Sequence, residues 1–188
     1  MLPFCAPRHV LVMILMAILG LSGCAITPIP TEPPDNPSLM VINKYYRQTI
    51  YMAQQHPQQR WRHGRWGNMV VNLTGYPNLG LCYHWQNLVY QGIKPALEIT
   101  GWEVVGIATN EGTRHEHHAV LVYNPEIHNL HDLLRNLPHQ SVYILDPWPT
   151  GTAAIYSLSE WLHWPGQKRL NTRLTLINKN NWIEQNGS

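Results

Sequence analysis

The sequence predicts an α+β domain in which a cysteine-bearing helix packs on an antiparallel sheet. Three observations carry this. An N-terminal segment, residues 36–55, repeats apolar residues at helical spacing. A second apolar helix pattern opens at or near Cys82. Beyond residue 101 the periodicity changes from that of helices to that of strands, and turn-rich links join the strands. Helices first and antiparallel strands after is the order of an α+β fold, not of an alternating parallel one.

In the first helix, Asn36-Pro37 supplies an N-cap and a proline in the first turn. Leu39, Ile42, Tyr46, Ile50 and Ala53 then form one apolar face up to about Gln55. Residues 60–67, RWRHGRWG, form an aromatic and basic cluster. It reads as an exposed loop anchored by Trp61 and Trp66, with stacking on sugar rings or contact with an anionic polymer as the functional alternative. Met69 to Leu73 is an apolar, β-prone run. Gly75, Pro77, Asn78 and Gly80 make a turn-rich approach to Cys82, whose helix carries Trp85, Leu88, Val89 and Ile93. Trp102 to Thr109 and His117 to Tyr123 read as a hairpin through the turn at 110–113. A helical piece at 130–136 leads to a third strand, Ser141 to Leu145. Ser157 and Glu160 form a capping box for a short helix through His163, and Arg173 to Ile177 is a last strand.

The other end of the chain sets its context. An apolar run from Val10 to Leu21 is about twelve residues, short of the roughly 20 that span a bilayer, so residues 1–23 read as a secretion signal. That run closes on Leu21-Ser22-Gly23-Cys24, which resembles the lipobox of bacterial lipoproteins. The resemblance implies cleavage before Cys24, a lipid on its sulfur and, with Ala25 next, attachment to the outer membrane facing the periplasm. Residues 24–38 hold five prolines and read as an extended tether, leaving 39–188 as one domain. The whole chain has 13 Lys and Arg against 11 Asp and Glu, with no long basic block, which gives no reason to expect nucleic acid.

Cysteine usage points to chemistry. Cys5 leaves with the signal and Cys24 is the lipidation position, so Cys82 remains as a lone thiol destined for an oxidising compartment. Such a thiol is either buried packing or employed. At a helix N-terminus, the positive end of the macrodipole favours a nucleophilic thiolate. Thiol catalysis also needs a base and a group to orient it. His118 on the second strand and Asp146 ending the third supply both in order. His117 competes with His118, but strand alternation lets only one of them face Cys82.

The runs Leu81-Cys82-Tyr83-His84-Trp85, His118-Ala119-Val120-Leu121-Val122 and Ile144-Leu145-Asp146-Pro147-Trp148 resemble the Cys, His, Asp/Asn order of the papain-like superfamily, including bacterial transglutaminase-like peptidases. The resemblance covers roughly residues 75–151. It implies Cys82 as nucleophile, His118 as general base and acid, and Asp146 as the residue fixing the imidazole tautomer. Its His-Ala-Val strand is what selects His118 over His117. The position six before the cysteine, glutamine in papain-type enzymes, is Tyr76 here, so Tyr76 and Asn78 are the oxyanion candidates beside the backbone N–H of Cys82. The expected reaction is hydrolysis of a peptide or peptidoglycan amide, or acyl transfer to an amine, with no cofactor. Two rivals stand beside it. One is an envelope lipoprotein that binds without catalysis. The other is a metal site built from the histidines around His115, Glu116, His117 and His118, whose spacing lacks the His-Glu-x-x-His helix pattern.

Overall fold

A computed structural model of the chain describes residues 35–113, 115–130, 133, 141–162 and, for the backbone alone, 175–177. Helix α1 (Pro37–Gln54) begins where expected. The Asn36 side chain accepts a hydrogen bond from the Leu39 N–H at 3.0 Å, and the five residues of the predicted apolar face are buried. Strand β1 (Arg60–Trp61), helix α2 (Gly64–Thr74) and strand β2 (Asn78–Leu79) follow, and the two short strands pair in parallel. Helix α3 (Cys82–Gly92) is succeeded at once by α4 (Lys94–Thr100). Strands β3 (Glu103–Thr109), β4 (His117–Tyr123), β5 (Val142–Leu145) and β6 (Ile155–Ser157) lead to α5 (Leu158–Leu162) and β7 (Thr175–Ile177).

The five long-range strands form one sheet in the order β6-β5-β4-β3-β7, with every pairing antiparallel. Cores lie on both faces. On one, α1, α3 and α4 bring Leu39, Ile42, Tyr46, Trp85, Val89 and Ile93 against Val120, Val122 and Leu145. On the other, Trp161, Leu158 and Leu133 cover Ala119, Leu121, Ile144 and Tyr156. Covered on both sides, β4 reads as a nearly continuous apolar run.

Two expectations are corrected. Met69 to Leu73 belongs to a helix, not a strand. Gly67 and Val71, four apart, are buried on its inner side, and one face decides the conformation where β-propensity does not. The cluster at 60–67 is not a loop held by two tryptophans. Trp61 packs on Trp85 with ring centroids 4.6 Å apart, while Trp66 is 72% exposed. Strand β6 has no counterpart in the sequence reading, and the expected helix at 130–136 lies mostly outside the described residues, as does His163. The Ser157–Glu160 box forms as expected. The Glu160 carboxylate accepts from the Ser157 N–H at 2.8 Å, and the Ser157 hydroxyl accepts from the Glu160 N–H at 3.2 Å.

The segment β1-α2-β2 is a strap laid across the start of α3. Its fit depends on Gly80, which has φ of +126° and whose missing Cβ would lie 1.9 Å from the Arg62 carbonyl oxygen. That carbonyl also accepts the Trp85 indole N–H at 2.8 Å, so the strap is bonded to the second turn of the helix it crosses. The far end of the strap is joined to the loop after β5. There the Gly64 N–H donates to the Trp148 carbonyl at 2.7 Å and the Trp148 indole to Asn68 Oδ1 at 2.8 Å.

Candidate active site

Cys82 is the first residue of α3 and is buried. The turn before it is organised by His84, whose Nδ1 accepts from the backbone N–H groups of Gly80 and Leu81, both at 3.2 Å. A side chain three residues into a helix thus reaches back to satisfy donors at its start. Burial lowers the pKa of His84, which suits the neutral ring that this acceptor role requires.

The histidine that meets Cys82 and Asp146 is His117, which corrects the placement of His118 at that point. His117 Nε2 lies 2.6 Å from Asp146 Oδ2, and the His117 ring is near enough to the Cys82 side chain for the thiol to help raise its pKa. The reason is strand register. In the β4–β5 ladder Val120 pairs with Leu145 and Leu121 with Ile144, so Asp146, one residue past β5, falls level with Ala119. Its diagonal neighbour on that face is His117, while His118 is on the opposite face.

Asp146 is 1% exposed and fully engaged. Besides His117, its Oδ2 accepts the Trp161 indole N–H at 2.9 Å and its Oδ1 the Trp148 backbone N–H at 3.2 Å. The ring of Trp148 lies 4.8 Å from that of His117 and the ring of Trp161 5.7 Å away, so two indoles pack against the imidazole. Burial by itself lowers the His117 pKa. Its close contacts with the Asp146 carboxylate, and then with Cys82, overcome burial and push it up to about 10. Tyr46 and Tyr156 have raised pKa values, first from burial and then from the Asp146 charge, and stay neutral phenols around it.

His118 occupies a separate network. Its Nδ1 lies 3.1 Å from Gln86 Oε1 and its Nε2 2.5 Å from Glu116 Oε1. The Glu116 carboxylate also accepts the Gly112 N–H at 2.7 Å. Gln86 is fully buried one turn beyond Cys82, and its amide nitrogen donates to the carbonyls of Ile107, at 2.9 Å, and Ala119. This side chain bolts α3 to both β3 and β4. Sequence reasoning missed it, although a glutamine on the apolar face of a helix, four residues from a candidate nucleophile, was the available signal.

The oxyanion candidates are not drawn into this geometry. The Asn78 amide is committed within the strap, with Oδ1 accepting from Arg62 Nε at 3.2 Å and Nδ2 donating to Thr74 Oγ1 at 3.0 Å. Tyr76 is 70% exposed and makes no hydrogen bond to Cys82, His117 or Asp146. The backbone N–H at the start of α3 is the remaining donor of the expected set, since the first N–H groups of a helix lack intrahelical acceptors. Among the described residues, no group of three or more His, Cys, Asp or Glu side chains is placed to hold a metal, and no helix is long and apolar enough to cross a membrane.

No family model, curated protein or solved structure matches this chain.

Proposed function

We propose that this chain is a thiol-dependent acyl-transfer enzyme of the bacterial cell envelope, with Cys82 as nucleophile, His117 as general base and acid, and Asp146 as the residue orienting His117. One observation supports the reading above all others. A buried carboxylate is bonded to an imidazole, and that imidazole neighbours a helix-terminal thiol closely enough for the thiol to act on its pKa. A structural core has no need to align them in that order.

The chemistry follows from the contacts. Cys82 attacks an amide carbonyl after giving its proton to His117, and the oxyanion develops near the backbone N–H at the start of α3. His117 then delivers the proton to the leaving amine, and a thioester remains on Cys82. Water activated by His117 releases the acid, or a second amine takes the acyl group. Asp146 accepts at His117 Nε2 throughout, which leaves Nδ1 to handle the proton. The reading follows the Cys, His, Asp/Asn order of the papain-like and transglutaminase-like enzymes that the sequence resembles, with His117 taking the role of their histidine. The lipobox at residues 21–24 favours a substrate exposed to the periplasm, such as a peptide or the amide-rich peptides of the cell wall.

The test is a turnover screen with purified peptidoglycan, peptide libraries and amine donors, followed by mass spectrometry. The expected result is an amide product formed by the wild type and lost in Cys82→Ala. A product that persists in Cys82→Ala would remove the thiol from the chemistry. A thiol that becomes alkylated only on denaturation would reduce Cys82 to packing and leave the binding role.

A further inference from the structure

Helix α2 of the strap turns an apolar face outward. Trp66, Met69 and Leu73 stand at i, i+3 and i+7, one stripe along a helix about 16 Å long, and they are 72%, 43% and 77% exposed. Tyr76, just past its end, is 70% exposed. The inner side has Gly67 and Val71, so this helix buries its small residues and presents its large ones. Most surface helices do the reverse.

The charge along this segment of the chain is of one sign. Between Asp35 and Glu98 the sequence has no acidic residue, but it has six Lys and Arg. Three of them border the stripe. Trp61 points inward onto Trp85, which puts Arg60 and Arg62 on the outer side of β1, and Arg65 opens α2; all three are exposed. Among the described residues none of the three forms an ion pair. A helix with large apolar and aromatic residues on one face, accompanied by arginines that have no carboxylate partner among the described residues, has the composition of one that lies in the headgroup layer of an anionic bilayer.

We infer that α2 is a membrane-docking helix: Trp66, Met69 and Leu73 enter the interface of an anionic lipid bilayer while Arg60, Arg62 and Arg65 meet its phosphates. Position in the fold gives the surface a role. The same helix bonds Trp148 through Asn68 and Gly64, and Trp148 lies against His117, so a docked α2 holds the His117–Asp146 pair near the membrane surface. The inference stands apart from the acyl-transfer reading, because a bilayer contact through α2 needs no thiol chemistry.

The test uses the full chain in vesicles of phosphatidylethanolamine and phosphatidylglycerol containing a doxyl-labelled lipid, with Trp66→Phe to isolate the Trp66 emission. The expected result is quenching of that emission by the doxyl lipid and protection from aqueous acrylamide. Leu73→Asp and the double variant Arg62→Gln/Arg65→Gln should each relieve most of the quenching. Phosphatidylcholine vesicles or high salt should do the same to the wild type. All these substitutions are at exposed positions, and circular dichroism checks that the fold survives them. Emission from Trp66 that remains open to acrylamide and untouched by the doxyl lipid would overturn the inference and assign the face to a water-borne partner. Equal quenching in neutral and anionic vesicles would overturn the anionic-lipid assignment.

Discussion

His117 and His118 are neighbours on one strand, each holds a carboxylate, and the two sites behave as opposites. His117 faces Asp146 in a pair whose side chains are 8% and 1% exposed, roofed by Trp148 and Trp161. His118 faces Glu116 in a pair whose side chains are 13% and 34% exposed, and its other nitrogen goes to Gln86 instead of a thiol. The difference teaches that residue type and sequence distance do not decide which imidazole meets a buried carboxylate. The sheet face does, because it decides which carboxylate and how much water each imidazole meets.

The largest expected effect tests that contrast directly. Cys82→Ala abolishes iodoacetamide labelling at residue 82. His117→Ala cuts the rate of turnover by about 10²- to 10⁴-fold, the usual worth of a positioned acid–base group. His118→Ala should cost only a small part of that. Matching losses at both histidines, measured as labelling and turnover against pH, would erase the distinction between the two faces.

Next comes the carboxylate. Asp146→Ala strands the buried His117 and the Trp161 indole and should destabilise the fold by about 3–5 kcal/mol in urea denaturation, with Asp146→Asn milder. The pH dependence has a definite sign. The folded pKa of His117 is raised from 6.5 to about 10. Its contribution to stability is therefore fully present below about pH 6.5 and fades as pH rises toward 10. The stability gap between the wild type and His117→Ala should narrow over that interval. A gap that widens with pH would mean that His117 is buried neutral.

Smaller again is Gln86→Leu, which leaves the Ile107 and Ala119 carbonyls without their side-chain donor and should cost about 1–3 kcal/mol. Because Gln86 bolts α3 to β4, the alkylation rate of Cys82 should fall with it, whereas an isolated packing defect would leave that rate alone. The smallest effect belongs to Glu116→Gln. Its carboxylate is partly exposed and its pair with His118 is solvent-screened, so the urea midpoint should move by no more than about 1 kcal/mol. A loss as large as that of Asp146→Ala would show the two pairs to be alike.

Much of the scaffold was legible because local rules agree with the tertiary outcome. The Asn36-Pro37 cap, the apolar face of α1, the onset of α3 at Cys82, the β3–β4 hairpin and the Ser157–Glu160 box each rest on a signal contained within a few residues. Met69 to Leu73 misled because an exposed apolar stripe breaks the expectation that large residues face inward. That exception coincides with the surface we assign to a membrane.

The sequence alone determined that a thiol, Cys82, opens a helix upstream of a histidine pair and an aspartate, because residue order and helix-start chemistry are local properties. It could not determine which histidine completes the set. Strand β4 is covered on both faces, so its near-continuous apolar run has no alternation from which to read direction, and matching a three-residue motif could not resolve a one-residue step. Tertiary structure decided it through the β4–β5 register. Antiparallel pairing puts Asp146 level with Ala119 and on the same side as His117, and a shift of one residue would have reversed every side chain on the strand.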